Sequence, residues 1–434
     1  MVFKEELVLE FFSKVEQGVS KEKIVERELK TKPIENKTIS IIGPRRAGKT
    51  FYLFQKKKAH SGIYIDFESA EFSKANIEDV IKIVSLYEKY FERKVNIIYL
   101  DEIQNLKNWE RLARTLLNHG YKLYISGSSS KLLSKEIATQ LRGRSLTYLL
   151  LPFSFREFLA AKGFKIKKLY TLSEITEIKK YLKDYLDFGG FPEVVLKEEK
   201  EKILKEYLEL AFYKDFVERH RIESIEVAKI IFEYLLQNFS KEISVTKIQN
   251  FIEKTLGVKT RSTIYNYLDK LEDSLLVFFI ERFEKSIYRR KFFPKKVYIC
   301  DVGLVKIKKI SEDFGKVIES TVFLELLRKT NENPLMEIFY FKTKEGYEVD
   351  FLIKEGLKVK QLIQVSYANS FDEIEEREIR ALLHAKELFK QDKPELICLT
   401  WDYEDEREMR WFGKEGRVKF VPLWKWLLHI KTRS

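Results

Sequence analysis

Short apolar runs alternate with longer amphipathic stretches over the first third of the chain. Each run has the length of a buried strand, and each intervening stretch can hold a helix. We therefore predict an α/β fold, a parallel five-stranded sheet covered by helices, with functional residues at the carboxyl ends of the strands. The predicted strands are Thr38–Ile42, Gly62–Glu68, Asn96–Glu102, Lys122–Ser129 and Ser145–Pro152.

Helical periodicity takes over in the middle of the chain. Apolar residues at helical spacing on both sides of Gly257 predict two helices joined by a short turn, the helix-turn-helix plan. A basic stretch then lies between the apolar segments 276–283 and 297–301, which predict a two-stranded wing. We assign 152–228 to a helical lid and 229–300 to a winged helix.

The remaining part of the chain predicts another α/β domain. From Asp301 the pattern runs helix, three strands, helix and strand, which places a separate domain at 301–434. With the sheet domain at 1–151, the chain of 434 residues is expected to hold four domains, because it is too long for one ordinary core.

Composition narrows the class of protein. No apolar stretch is long enough for a membrane span, and the N-terminal segment is an acidic amphipathic helix rather than a secretion signal. Two cysteines, and histidines without zinc spacing, favour a cytoplasmic protein without disulfides or zinc. The abundance of Lys and Glu is typical of heat-adapted proteomes. Residues 241–300 carry thirteen Lys/Arg against seven Asp/Glu, within a net charge of +13, so a polyanion-binding surface is expected there.

The segment after the first predicted strand has the spacing of a P-loop, which binds nucleotide phosphates. Its glycines allow backbone N–H groups to converge on phosphate, Lys49 would reach the β- and γ-phosphates, and the Thr50 hydroxyl would bind Mg²⁺. We therefore predict that the chain binds ATP or ADP with Mg²⁺. The predicted nucleotide-binding residues here are Gly43, Pro44, Arg45, Arg46, Ala47, Gly48, Lys49, Thr50 and Phe51.

Two later strand ends supply candidate catalytic groups. The run IIYLDE ends in Asp101, the expected Mg²⁺ carboxylate of a Walker B motif, followed by Glu102, which is suited to activating the attacking water. After the next strand, Ser126 or Ser128 would lie near the γ-phosphate, although serine-rich turns are also common without function.

These motifs together resemble a known family. GPRRAGKT, IIYLDE, ISGSSS, LRGR and GGFPEVV, in this order, are similar to archaeal and bacterial AAA+-type ATPases that continue into a winged helix and a restriction-endonuclease-like domain. The resemblance implies an arginine finger at Arg142 or Arg144, acting in cis or, in a nucleotide-dependent homo-oligomer, in trans. Similarity to STAND-type and origin-recognition-like ATPases implies that Pro192 touches the adenine.

The predicted winged helix suggests DNA as partner. The start of its second helix would meet phosphates and base edges, and basic residues would follow on the wing. Winged helices also serve as protein contacts, so protein partners remain the alternative. The predicted DNA-contacting residues are Arg261, Ser262, Thr263, Asn266, Arg289, Arg290, Lys291, Lys295 and Lys296.

The C-terminal order of elements resembles the PD-(D/E)xK nuclease core. In that core an Asp at the place of Asp350 and a Glu-x-Lys on the next strand bind metal and activate water. Here Glu319 and Asp350 are present, but Gln364 and Ser366 stand at the Glu and Lys places. We therefore predict a nuclease-like fold whose cleavage is lost or severely reduced.

These predictions favour a slow ATPase that acts as a nucleotide switch coupled to DNA binding. An ATP-regulated protein-interaction or signalling module is the competing hypothesis. An ATP-dependent nuclease is disfavoured by Gln364 and Ser366.

Overall fold

The computed structural model describes residues 4–21, 24–128, 141, 143–259, 261–307 and 313–429. The chain forms two compact units. The first comprises Met1–Pro152 with Asp273–Leu275, and the second Phe153–Glu272 with Leu276–Ser434. Among the described helices, none combines the length and the apolar character needed to cross a membrane.

The first unit contains a five-stranded sheet in which every pairing is parallel. The strands are β1 (Thr38–Ile42), β2 (Ile63–Asp66), β3 (Ile97–Asp101), β4 (Lys122–Gly127) and β5 (Ser145–Leu149). Their spatial order β2-β3-β4-β1-β5 confirms the sheet expected from the sequence; β1 has the predicted bounds, and the other four strands are slightly shorter than predicted.

Helices cover this sheet because their apolar faces need burial. In α3, Asn76 accepts from the Asp79 N–H and Asp79 accepts from the Asn76 N–H, a capping box that fixes where the helix begins. The buried core between sheet and helices includes Ile39, Tyr52 and Tyr99. The described helices of this unit are α1 (Glu5–Lys21), α2 (Lys49–Ala59), α3 (Ile77–Tyr90) and α4 (Trp109–Asn118).

The second unit begins with helices. The longest of them ends at Gly189, whose φ of +73° suits glycine, and Pro192 starts the next helix at its first position, where the missing N–H costs nothing. A π-helical segment, Ala211–Glu218, follows the fourth helix. These helices are α5 (Phe155–Ala161), α6 (Leu172–Phe188), α7 (Pro192–Leu196), α8 (Lys200–Leu210) and α9 (Ile225–Gln237).

The predicted helix-turn-helix segment forms two helices next to a small sheet. Gly257 adopts φ +70° and ends the first of them, as the turn requires. The two predicted wing segments form strands that pair antiparallel, and a third strand joins them in the order β6 (Lys241–Ile243), β8 (Lys295–Ile299), β7 (Val277–Ile280). A short helix, which was not predicted, lies inside the basic stretch. The elements are β6 (Lys241–Ile243), α10 (Val245–Leu256), α11 (Arg261–Asp273), β7 (Val277–Ile280), α12 (Ile287–Arg290) and β8 (Lys295–Ile299).

The C-terminal part is a mixed six-stranded sheet in the order β13-β14-β12-β11-β10-β9. It contains the predicted helix, three strands, helix and strand, and adds a hairpin whose first strand is too polar to be recognised by apolar alternation. The elements are α13 (Gly303–Lys306), α14 (Phe314–Lys329), β9 (Met336–Lys342), β10 (Glu348–Glu355), β11 (Lys358–Val365), α15 (Glu376–Leu388), β12 (Glu395–Thr400), β13 (Asp405–Trp411), β14 (Lys414–Pro422) and α16 (Leu423–Leu427).

Candidate functional site

The segment between β1 and α2 has a conformation that its glycines make possible. A Cβ at Gly43 would lie 2.0 Å from the Leu150 carbonyl oxygen, so no larger residue fits there. Gly48 caps α2 with φ +95°, a conformation that side chains other than glycine rarely adopt. The loop therefore directs the N-terminus of α2 to the carboxyl edge of the sheet, where a helix dipole favours anions.

The side chain of Lys49, the first residue of α2, reaches back to this loop. Its Nζ donates hydrogen bonds to the carbonyl oxygens of Gly43 and Pro44, each at 3.2 Å. The same Nζ lies 3.3 Å from Glu102 Oε1, and only 4% of the Lys49 side chain is exposed. The carboxyl end of β3 thus delivers a carboxylate to the P-loop lysine.

Asp101 is the centre of a hydrogen-bonded cluster. Its Oδ2 accepts from the Thr50 hydroxyl at 2.6 Å and from the Tyr64 hydroxyl at 2.7 Å, and its Oδ1 accepts from the Ser126 hydroxyl. Burial first, and then the charge of Glu102, raise the pKa of Asp101 above its usual range. The structure therefore brings together Thr50 and Asp101, the two groups that we predicted to bind Mg²⁺.

Glu102 has an unusual backbone and several partners. Its φ of +46° turns the chain sharply after β3. Ser128 Oγ donates to Glu102 Oε2 at 3.2 Å, and the Gln104 amide donates to the same oxygen. Burial opposes the charge of this carboxylate, but the nearby Lys49 and the Gln104 bond outweigh it, so the pKa of Glu102 lies below its usual range. The lowered pKa favours the ionised carboxylate that the predicted general base requires.

A third carboxylate, Asp66, was missed by the sequence analysis. It ends β2 and lies in register with Asp101 on the neighbouring strand. Burial, with smaller effects from Asp101 and Glu102, raises the pKa of Asp66 to about 6. The available signal was the acidic residue at the carboxyl end of the predicted strand Gly62–Glu68, the edge where functional groups collect.

The other predicted loop residues occupy different surroundings. Arg45 forms an ion pair with Glu68 at 3.2 Å, and Arg46 adopts φ +66°. Ala47 is fully buried, and Phe51 is 47% exposed on α2. These positions surround the loop, and their contacts with nucleotide remain predictions.

Arg27, which the sequence analysis also missed, supports the P-loop through buried hydrogen bonds. Its guanidinium is buried and donates to the carbonyl oxygens of Ala47 at 2.8 Å and Leu151 at 2.6 Å. The contact ties the P-loop to the chain after β5. No local motif marks this arginine, because its partners lie far away in the sequence.

Arg144, one of the two candidate arginine fingers, is not near the P-loop of this chain. Arg144 precedes β5, its carbonyl accepts from the Thr38 N–H, and its guanidinium donates to Asn118 at 2.8 Å. Thr38 begins β1, whereas the P-loop follows the end of β1, so Arg144 lies at the opposite edge of the sheet. A finger role for Arg144 within its own P-loop site is therefore excluded in this arrangement. Arg142 lies outside the described residues.

Pro192 belongs to the second unit, where the turn before it is anchored. The Gly190 N–H donates to Asp301 Oδ2 at 2.8 Å, and the Gly303 N–H donates to Asp301 Oδ1 at 2.9 Å. A Cβ at Gly189 would lie 1.7 Å from Asp301 Oδ1, so this turn requires glycine. The adenine contact of Pro192 remains a prediction.

The start of α11 presents the polar side chains that we predicted to contact DNA. Arg261, Ser262 and Asn266 are exposed and Thr263 is partly exposed, because the apolar positions of the helix turn inward. In the basic stretch, Arg289, Lys291 and Lys295 are exposed, whereas Arg290 lies over the Phe339 ring at 4.6 Å.

One of these predictions, the exposure of Lys296, is wrong. We placed it on the exposed wing, but it is only 2% exposed. Its Nζ lies 2.8 Å from Glu348, 3.0 Å from Glu319 and 3.2 Å from Asp350. Strand alternation explains the difference, since Lys295 and Lys296 must point to opposite faces of β8. Lys296 is therefore not available at the surface.

Two of the four residues predicted as a degenerate nuclease site, Glu319 and Asp350, meet at Lys296. Glu319 accepts from the Tyr298 hydroxyl at 2.6 Å, and the Val365 N–H donates to Asp350 at 3.0 Å, beside Gln364 and Ser366. Burial raises the pKa of Glu319 to about 7, against the lowering effect of Lys296. Lys296 thus places a cation between Glu319 and Asp350, while position 366 holds serine.

Another carboxyl group, Glu378 on α15, was missed at this cluster. Burial, with a contribution from Asp350, raises the pKa of Glu378 to about 7, and a hydrogen bond with Ser366 opposes that shift. Gln364 Oε1 is buried and has no hydrogen-bond partner within the part of the chain that the structure describes. The described residues contain no group of three or more His, Cys, Asp or Glu arranged to hold a metal ion.

Comparison with known protein families agrees with the sheet and the P-loop found in the first unit. Residues 35–159 match the AAA domain family, and residues 179–312 and 314–426 match two domains of unknown function, DUF8612 and DUF4143. The five-stranded parallel sheet, the P-loop and this match define the first unit as a P-loop ATPase domain of the AAA class.

Full-length relatives give the family. The chain is 39% identical over 418 residues to the uncharacterized protein MJ1544 of Methanocaldococcus jannaschii, covering 94% of this chain and 92% of the relative. The chain belongs to the family of that protein. An uncharacterized protein of Haemophilus influenzae is 28% identical over 387 residues, covering 85% and 90%.

A solved structure shows a more distant likeness. The Walker-type ATPase PABY2304 of Pyrococcus abyssi is 15% identical, with 71% of this chain and 96% of that chain covered and a TM-score of 0.40. A likeness of this size carries no argument about function.

Proposed function

We propose that this protein is a Mg²⁺-dependent ATPase that acts as a nucleotide-controlled switch and couples its nucleotide state to DNA binding. The observation that carries the proposal is the meeting of Thr50 and Asp101 at 2.6 Å, directly beside the Lys49–Glu102 pair at 3.3 Å. These groups come from the P-loop and from the end of β3, the two places that phosphate binding and water activation require in P-loop ATPases.

The residues present fit a nucleotide and its metal. Lys49 Nζ is bonded to loop carbonyls only at 3.2 Å, so phosphate oxygens can replace these weak acceptors. Thr50 and Asp101 offer hard oxygen atoms, which Mg²⁺ prefers. When bound, Mg²⁺ would neutralise phosphate charge and polarise the terminal phosphoryl group.

Glu102 would accept the proton of the attacking water. Its pKa is held low by Lys49, and Ser128 and Gln104 fix the orientation of its carboxylate. When Lys49 turns to phosphate, its hold on Glu102 weakens and the carboxylate becomes more basic. Nucleotide binding would thus prepare the base.

The DNA contact rests on the exposed start of α11. Its polar and basic side chains face solvent next to the small β6-β8-β7 sheet, and the segment 241–300 carries a surplus of six positive charges. An exposed helix start of this kind suits phosphate and groove contacts. We therefore propose that α10, α11 and the small sheet form a winged helix.

Coupling within the second unit would run through Asp301. This residue follows β8 and binds the Gly190 N–H at 2.8 Å, so the turn before Pro192 is joined to a strand of the winged helix. A shift of that turn on nucleotide binding would be transmitted to β8. We assign the C-terminal domain no cleavage role, because Gln364 and Ser366 stand where the resembled nuclease core has Glu and Lys.

The test is the ATPase rate of wild type and Glu102→Gln, with and without duplex DNA. Wild-type hydrolysis that responds to DNA, together with an inactive variant that still binds nucleotide, is the expected result. Glu35→Gln removes an exposed carboxylate of the same unit and is the control. Hydrolysis that ignores DNA, with no salt-dependent DNA binding, would retain the ATPase and overturn the coupling in favour of protein partners.

The position of Arg144 favours a finger acting on a neighbouring chain. Mixed Glu102→Gln and Arg144→Ala chains then assemble sites with an intact base and an intact finger, and hydrolysis should recover on mixing. A mixture no more active than its separate components would argue for a monomeric switch.

A further inference from the structure

We propose that the basic stretch around α12 binds unpaired bases of DNA, so that the preferred ligand is single-stranded or locally opened DNA. This inference rests on the proposed DNA binding and specifies its substrate class. It comes from an exposed pair of aromatic rings that a duplex phosphate contact does not require.

Three large apolar side chains lie exposed on this short segment. Ile287 is 71%, Tyr288 72% and Phe292 67% exposed. The rings of Tyr288 and Phe292 contact each other edge to face, with centroids 4.9 Å apart. The core of the second unit thus leaves two adjacent ring faces open to solvent.

The charged residues within the segment 285–292 are all basic. Residues 285–292 read KSIYRRKF and contain no acidic residue. Lys285, Arg289 and Lys291 are exposed beside the rings. Exposed rings among Lys and Arg fit a polyanion whose flat groups can stack, because cations hold the backbone while aromatic faces take the bases.

Both ends of the segment are anchored to the rest of the second unit, so the two rings lie on a rigid part of the structure. Arg290 Nε donates to the Glu284 carbonyl at 2.8 Å and its guanidinium stacks on Phe339. Arg282 lies over the Phe293 ring at 4.1 Å. These contacts anchor both ends of the exposed stretch, and less order is then lost when it binds.

A cavity adjoins the same segment. Its volume is about 450 Å³. Four basic side chains, among them Lys285 and Arg290, line it with the acidic Glu387 and Asp392 and with apolar side chains that include Phe283 and Phe389. A basic and aromatic cavity next to exposed rings can accept a base that has left the stack.

The experiment compares a 30-base-pair duplex with the same duplex carrying a central unpaired bubble, by fluorescence anisotropy with the full chain. Wild type should bind the bubble roughly tenfold or more tightly, and Tyr288→Ala/Phe292→Ala should lose that preference while keeping its duplex affinity. The ring-preserving pair Tyr288→Phe/Phe292→Tyr should retain it. A 2-aminopurine in the bubble should be quenched by the ring-containing proteins and not by the alanine variant.

Matched variants separate stacking from other effects. Tyr213→Ala/Phe412→Ala removes two exposed rings elsewhere in the same unit and should change nothing. Arg289→Ala/Lys291→Ala should weaken binding to both DNAs equally. It should also lower the slope of log affinity against log salt concentration by about two. Equal binding of bubble and duplex by wild type, unchanged in the alanine variant, would overturn this inference and leave the proposed function intact. Failure to bind either DNA would overturn both.

Discussion

Lys49 and Lys296 are both buried lysines that face carboxylates, but their surroundings differ. Lys49 has one carboxylate, Glu102 at 3.3 Å, and completes its hydrogen bonds with two loop carbonyls at 3.2 Å. Lys296 has three carboxylates between 2.8 and 3.2 Å. The first lysine can exchange weak acceptors for a ligand, while the second is already saturated.

The local structure explains the contrast. Lys49 lies where a loop meets the start of a helix, and the first N–H groups of a helix have no partner within it. Lys296 lies within the central strand of the β6-β8-β7 sheet, which leaves no such opening. Removing one partner of a fully buried charge cluster is costly because the remaining charges stay out of water. Lys49 should therefore matter for function, and Lys296 for stability.

The strongest test of the first cluster is Glu102→Gln. The amide cannot accept the proton of water, so the hydrolysis rate should fall roughly 10²- to 10⁴-fold while nucleotide binding persists. Phosphate release measures the rate, and a fluorescent ADP analogue measures binding. A variant that hydrolyses ATP at the wild-type rate would exclude Glu102 as the base.

Lys296→Met tests the second cluster. It leaves Glu319, Glu348 and Asp350 without their shared cation, and the free energy of unfolding should fall by about 3–5 kcal/mol. The control is Lys295→Met, because the neighbouring side chain is exposed and should contribute less than about 1 kcal/mol. Denaturant unfolding, followed by a signal from the second unit, measures both. Equal effects of the two variants would contradict the difference between the clusters.

The stabilisation that nucleotide adds to the protein should depend on Lys49 and not on Lys296. Mg²⁺ and ADP at about a hundred times the dissociation constant should stabilise wild type by about 2.7 kcal/mol. Lys49→Met should lose this stabilisation, whereas Lys296→Met, although less stable, should keep it. Thermal melts with and without ligand measure both effects. Stabilisation that survives in Lys49→Met would place the nucleotide elsewhere.

The same contrast explains what the sequence could predict. The P-loop residues lie within a few positions of each other, so their spacing alone predicts that they meet. The parallel sheet was predictable because short apolar runs are typical of strands that are buried on both faces. The partners of Lys296, in contrast, lie at positions 319, 348 and 350 and meet it only through the packing of separate elements. In the sequence it resembles the exposed lysine beside it.

Asp66 shows the same limit inside the better predicted unit. Its strand was predicted, but its role depends on the register that places it beside Asp101. The burial that raises its pKa is likewise a property of the assembled sheet. Arg27 is a second case, since it supports the P-loop through carbonyl contacts that no motif records.

Asp66→Asn provides the smallest predicted effect and tests the carboxylate edge directly. The folded-state pKa of about 6 exceeds the usual 3.8, so the folded state holds a proton that the unfolded state has already released. Wild type therefore loses stability as pH rises through this range. Asparagine mimics the neutral form and can still accept from the Glu68 N–H, which lies 2.8 Å from Asp66 Oδ1.

The stabilisation of Asp66→Asn over wild type should consequently increase by about 1 kcal/mol between about pH 5 and about pH 7.5. Denaturant unfolding of both proteins at the two pH values measures the change, with Glu68→Gln as the control for removing a nearby, more exposed carboxylate. A difference independent of pH would mean that Asp66 titrates normally. The carboxyl edge of the sheet would then be more hydrated than its burial indicates, and the repulsion that Asp101 and Glu102 exert on Asp66 would be weaker than we infer.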